Sequence, residues 1–200
     1  MTCISHVGSK ERLGNMPRGS YTASKAIRPI TLFMLRALLG TSKFSLLHAD
    51  GAALATMSIF ASVTKARCNW YLPNGTFDPD RYLTIGAFRF EFAADGAPVR
   101  VIITFKHGTE VAVGLGFPGE GLCCVSALCN YFLRWRSGAS SSAPVFTTAN
   151  ESAATCDFLG HWLRAALMEA GIDPSLYAPH SFRLGGELLA AEDVPEGHIY

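Results

Sequence analysis

Charge is scarce in this sequence: only 16% of its 200 residues are Asp, Glu, Lys or Arg, while 49% are apolar. That balance excludes an intrinsically disordered chain, which needs low hydrophobicity and high net charge. Long apolar runs are lacking too. The uncharged stretches Gly51 to Thr64 and Gly121 to Leu133 fall short of the roughly 20 apolar residues that cross a bilayer. The opening MTCISHVGSKERLGNMPRGS holds no apolar block, which argues against a secretory signal. Six cysteines are too few for a disulfide scaffold, and no C-x-x-C pair occurs. The histidines form no H-E-x-x-H, no G-x-S-x-G elbow exists, and no glycine opens a helix after Gly114-Leu115-Gly116. Metal hydrolases, serine hydrolases and dinucleotide enzymes therefore receive no support. What remains is about one globular domain, cytosolic or nuclear, with reduced thiols.

The net charge of +1 does not suggest a nucleic-acid binder, but the charges are unevenly spread. Residues 1–149 carry 15 Lys and Arg against 8 Asp and Glu, whereas residues 150–200 carry 2 against 8. Twelve of the 17 basic residues are Arg, whose flat fork grips phosphate or carboxylate oxygens in pairs. From composition this pattern reads as solvated surface charge, with one basic face as the sharper alternative.

Along the chain, residues 1–27 are polar and basic and read as a mobile leader. Thr31 is placed to cap a short helix carrying Leu32, Leu35, Leu38 and Leu39. Asp50 is placed to cap a second helix from Gly51 to about Lys65, apolar nearly all round and hence central. The period then changes. Phe88, Phe90 and Phe92 alternate with polar residues, as do Val99, Val101, Ile103 and Phe105, and then Val111, Val113 and Leu115. With Asp95-Gly96 and His107-Gly108 between them, these read as a three-stranded antiparallel meander. Helical spacing returns from Leu122 to Arg136, in a segment carrying Phe158, Trp162, Ala166 and Ala170, and from about Ser181 to before Pro195. Residues 137–144, SGASSSAP, read as a low-complexity connector. The expected class is α+β: a mostly helical domain with a small three-stranded antiparallel sheet.

Cys123, Cys124 and Cys129 share one helical stretch, a spacing that suits buried thiols rather than zinc ligands. One segment carries chemistry: Tyr177-Ala178-Pro179-His180-Ser181-Phe182-Arg183-Leu184-Gly185-Gly186. His180 and Arg183, three apart at a helix start, project on one face. An imidazole and a guanidinium there suit a phosphate oxygen. A capping histidine and a surface arginine would give the same spacing.

GIDPSLYAPHSFRLGG, followed by LAAEDVPEGHI, resembles the second signature box of tyrosine recombinases, closest to phage-type integrases and to the Crypton and DIRS-like mobile elements. Arg28-Pro29-Ile30-Thr31 with Met34 to Leu39 resembles the start of their catalytic domain. Phe77-Asp78-Pro79 with Tyr82-Leu83-Thr84 resembles the approach to their small sheet, and Cys124-Val125-Ser126-Ala127-Leu128 the start of the following helix. The resemblance implies the fold of DNA breaking and rejoining enzymes over residues 28–200. It implies DNA as partner, self-association through the recombinase surface, no membrane, no metal and no small-molecule cofactor. It also implies a nucleus if the source is a eukaryotic element and a cytoplasm otherwise.

The roles follow from the same resemblance. Arg183 and His180 match the second-box arginine and histidine. Lys106 stands where the family places its hairpin lysine, although a solvated edge lysine is an equal reading. Arg67 is the nearest match to the first-box arginine, expected at the end of the buried second helix, with Lys65 as a neighbouring alternative; the glutamate that should follow is not there. In the family these groups hold a DNA phosphate while a tyrosine attacks it. Tyr200 falls too early for that tyrosine, and the third box is not seen. The expectation is therefore a domain incomplete at its C-terminus and inactive for cleavage. The alternative expectation is a relic or helical interaction module that binds no DNA.

Overall fold

The computed structural model describes residues 27–115 and 122–192. Among them are six helices and one three-stranded sheet. The helices are α1 (Leu32–Leu39), α2 (Ala49–Thr64), α3 (Cys68–Tyr71), α4 (Cys124–Trp135), α5 (Cys156–Glu169) and α6 (His180–Glu192). The strands are β1 (Phe88–Phe92), β2 (Pro98–Thr104) and β3 (Glu110–Gly114). The expected leader, save Ile27, lies outside the described residues, as do Val194, Pro195 and Tyr200. No described helix is long and apolar enough to cross a membrane.

Helix α1 starts as its sequence dictates: Thr31 Oγ1 accepts from Met34 N at 3.3 Å. Leu35 and Leu38 turn inward while Phe33 stands in solvent. Helix α2 is the hub, buried continuously from Gly51 to Ser62, as its all-round apolarity requires. Its Thr56 and Ser62 hydroxyls donate back to the carbonyls of Ala52 and Ser58, which satisfies them inside the core. Asp50 is not its cap. His48 occupies that position, and Asp50, in the first turn, instead accepts from Ala149 N at 2.6 Å and ties down the loop before α5.

The sheet is an antiparallel meander in the order β1-β2-β3, with Phe90 opposite Val101 and Val101 opposite Val113. Val101, Ile103 and Val113 face the core, and Phe88 and Phe90 lie against Phe132 of α4 at 5.2 and 5.6 Å between ring centroids. Strict alternation fails at one place. The register shifts between Glu91 and Phe92, and Phe92 turns outward into solvent. Residues 137–144 are better ordered than their composition suggests. Gly86 N and Ile85 N donate to the carbonyls of Ser141 and Ala143, and Arg136 donates to Thr147 Oγ1 and Pro144 O. At the far end of α5, Glu169 accepts from the Ser42 N–H and hydroxyl, which hold its carboxyl below its ordinary value.

Helix α6 is buried at Phe182, Gly185 and Gly186, while Leu184 and Leu189 are half-buried and Leu188 is exposed. The reason is the glycine pair. A Cβ on Gly185 would fall on the Ile30 carbonyl oxygen, and one on Gly186 on the Ser62 carbonyl oxygen of α2. Backbone meets backbone at both points, and Ile30 N further donates to Ser181 O at 2.9 Å. Alanine gains about 1 kcal/mol over glycine in a helix interior, so the steric contact has to outweigh that gain. We expect Gly186→Ala to destabilise the chain by a net of about 1–3 kcal/mol in urea unfolding. Gly75→Ala, with no atom within 4 Å of the new methyl, should be near neutral. Equal midpoints for the two variants would show that the α2–α6 contact yields freely.

Candidate phosphate-binding site

Four side chains were singled out by sequence, and they stand on three elements. The chain leaves α2 through Lys65, whose φ of 54° lies in the left-handed region. A lysine there is strained relative to glycine, by roughly 1–3 kcal/mol, and the reversal turns the following residues away from the helix axis. Arg67 therefore does not continue α2. It is the N-cap residue of the separate short helix α3, exposed, with its guanidinium 5.9 Å from the centre of the Trp70 ring. That distance is at the outer range of a cation–π contact.

Trp70 links Arg67 to the β2–β3 hairpin. Its ring lies 5.5 Å from Phe105, which is buried at the base of the hairpin, and 4.5 Å from His107. The hairpin turn closes through Gly108, at φ 86°, with Gly108 N donating to Phe105 O. Lys106 sits between Phe105 and His107, exposed, and makes no hydrogen bond or ion pair among the described residues. The structure thus brings Arg67 and the hairpin that bears Lys106 together over one indole.

His180 and Arg183 lie on the first turn of α6. The turn leading into it is fixed by Ser181, whose buried hydroxyl accepts from Ala178 N at 3.0 Å. His180 is exposed. Arg183 is half-buried and already engaged: its Nε and Nη2 both donate to Glu187 Oε1 at 2.8 Å. The backbone contact of Gly186 with Ser62 joins the two halves. From that contact the chain reaches Arg183 in three residues and Arg67 in five.

Sequence reading passed over Trp70, His107 and Glu187. Two of them carried a signal. Arg67 and Trp70 are three apart, and Arg183 and Glu187 four apart, the spacings at which helical side chains meet. His107 had none, because its contact with Trp70 joins distant parts of the chain. Nearby, Arg89 and Arg100 on the sheet share Glu91 at 3.2 and 3.4 Å. Among the described residues no group of three or more His, Cys, Asp or Glu could hold a metal ion. A groove of about 1110 Å³ lies elsewhere, between α1, α2 and α4; Arg36, Phe44, Leu46, Ile59, Asn130 and Arg134 are among its walls, and none of the four candidates is.

No family model matches the sequence, and no curated protein does. Solved structures do match. The pre-cleavage complex of the XerH site-specific recombinase bound to difH substrate aligns with a TM-score of 0.54 at 17% identity, covering 84% of this chain and 44% of that one. The post-cleavage complex of XerH with palindromic difH substrate aligns at 0.52 and 17%, covering 84% and 43%. The chain shares the fold of these recombinase structures over most of its length. It spans less than half the length of the recombinase chains it matches. The six helices and the three-stranded sheet agree with the α+β architecture expected from the sequence.

The Arg183–Glu187 pair makes a sharp test of the phosphate reading. A phosphate on Arg183 has to compete with a carboxylate that is itself repelled by the phosphate. Exposed ion pairs contribute about 0–1 kcal/mol, so releasing Arg183 is cheap. Glu187→Gln should tighten binding of a short DNA duplex, by up to about fivefold in fluorescence anisotropy. Weaker binding by this variant would mean that Glu187 positions Arg183 rather than masking it.

Proposed function

We propose that this chain is a DNA-binding domain of the recombination type, in which Arg67, Lys106, His180 and Arg183 grip one DNA phosphate. The observation that carries the reading is the meeting of Arg67 and the Lys106 hairpin over Trp70, on a fold whose solved neighbours are recombinases bound to their substrates. The Gly186–Ser62 contact supports the approach of the α6 pair to the same face. Chemically, two guanidiniums, an ammonium and an imidazole suit the charge that develops on a phosphoryl group in transfer. The positive end of the α6 peptide dipoles adds to them.

In this reading the described residues bind DNA but do not cleave it. A nucleophile must present its hydroxyl to the phosphorus. Tyr71, Tyr82 and Tyr131 are buried instead, and burial pushes the Tyr71 and Tyr131 phenols up, away from ready ionisation. Tyr177 is half-buried in the turn before α6. Tyr200 lies outside the described residues. One observation favours the second reading, an interaction module that self-associates without DNA: the α1–α2–α4 groove is largely apolar, and Leu46 and Leu133 on its walls are exposed.

Salt dependence separates the two. Phosphate binding releases counterions, so log K should fall linearly with log salt by about 0.9 per phosphate neutralised. We expect a clear negative slope for the wild-type chain on duplex DNA, reduced by roughly one in Arg67→Ala. Binding that ignores salt, or that Arg67→Ala leaves untouched, removes Arg67 from the pocket. Chain self-association that strengthens as salt rises, with no DNA binding, favours the interaction module.

Cleavage is read separately. Incubation with a nicked suicide duplex should give no detergent-stable adduct. An adduct that disappears in Tyr200→Phe would assign the nucleophile to that residue and overturn the non-cleaving reading.

A further inference from the structure

Two thiols stand immediately behind the Arg67 side of the site. Cys68 opens α3, directly after Arg67, and Cys156 opens α5. They are 88 positions apart in the sequence, yet the chain between Cys68 and Pro73 wraps around Cys156. Cys156 N donates to Pro73 O at 3.2 Å, and Cys156 Sγ donates to Leu72 O at 3.6 Å. Leu72 N in turn donates to Cys68 O at 2.9 Å and closes the wrap. Within it the Cys68 and Cys156 thiols are close enough to influence each other's ionisation. Both cysteines are half-buried.

The two sulfurs differ in character. Cys156 sits at the N-terminal end of a 14-residue helix, where the aligned peptide dipoles favour a thiolate. The proton offered by Cys68 stabilises that anion further and lowers the Cys156 thiol below its ordinary value, although burial and the neighbouring Asp157 oppose this. Cys68 is pushed the other way, by its bond to Cys156 and by burial. The neighbouring Tyr71 is buried, and burial pushes its phenol up as well. Cys124 is the contrast: buried in α4, with its thiol pushed up to about 12.

We propose that Cys156 and Cys68 form a thiol–disulfide exchange site for low-molecular-weight disulfides, with Cys156 the attacking thiolate and Cys68 the resolving thiol. The Cys156 thiolate attacks one sulfur of a disulfide such as oxidised glutathione, forms a mixed disulfide and expels one glutathione thiolate, which takes a proton from water. Cys68 then loses its proton to water and attacks Cys156 Sγ, expelling the second glutathione thiolate. The balance is two protein thiols and one oxidised glutathione to one Cys68–Cys156 disulfide and two reduced glutathiones. The product pins α3 to α5 and so immobilises the short helix that carries Trp70 and starts at Arg67. Nothing in this depends on DNA binding.

The native full chain is treated with oxidised glutathione, quenched in acid, and mapped by non-reducing peptide mass spectrometry. The expected product is a Cys68–Cys156 linked peptide, lighter by two hydrogens, in the wild type. Cys68→Ser should instead hold a stable glutathione adduct on Cys156. Iodoacetamide at neutral pH should alkylate Cys156 of the reduced wild type several-fold faster than Cys123, Cys124 or Cys129. The proposal is overturned if the wild type accumulates the same unresolved adduct as Cys68→Ser, or if Cys123, Cys124 or Cys129 reacts before Cys156. The wild-type linkage and alkylation order decide the matter even if the variant does not fold.

Discussion

The arrangement of this domain depends on how closely α6 can lie against α2 and the segment before α1. At Gly185 and Gly186 the approach is backbone to backbone, against the carbonyls of Ile30 and Ser62. A side chain at either place would push the helix outward by the width of a methyl. Because α2 is buried along almost its whole length, it cannot move to compensate; the core around it is packed at crystal-like density. The glycines give up about 1 kcal/mol each in helix propensity, and what they secure is the position of the helix that starts at His180. The polar residues of the site are thereby referred to the hydrophobic core rather than to a loop.

The two halves of the candidate site are held by different forces. On the α3 side, the anchor is aromatic: Phe105 is buried, Trp70 leans on it, and His107 and Arg67 both approach Trp70. Such contacts are weak singly, about 0.5–1.5 kcal/mol, but the indole is held in place by the core behind it. On the α6 side, the anchor is electrostatic. Glu187 holds the Arg183 guanidinium extended along the helix surface. That pairing occupies the fork without deep desolvation, so the carboxylate masks the guanidinium yet is released at little cost.

Local physics made most of the elements legible. Thr31 as a cap, the all-round apolarity of α2, the three alternating runs and the Asp95-Gly96 and His107-Gly108 turns each predict what is observed. The misses share a cause. Asp50 is an ordinary N-cap residue type, but it serves a partner 99 residues away, which no local pattern reveals. The outward turn of Phe92 follows from a register shift set by the partner strand. The inward face of α6 is written in glycines, which hydrophobic periodicity ignores. The same applies to the site. His180 and Arg183 were legible because they are neighbours, whereas the Trp70–His107 stack and the Cys68–Cys156 pair are products of long-range folding.

Helix α3 is where these strands of argument meet. It has only four residues, too few to be stable alone, since a helix nucleus is unfavourable until several turns have formed. Its conformation is therefore dictated by what it touches: the left-handed turn at Lys65 before it, the indole stack on one side, and the Cys156 wrap on the other. Arg67, at its start, inherits its position from all three. An arginine on a long helix would be placed by that helix whatever its neighbours did. An arginine on so short a helix is placed by contacts that can change independently of the core. The Arg67 side is thus the adjustable half of the site, and the Arg183 side, locked by glycine against the buried α2, is the fixed half.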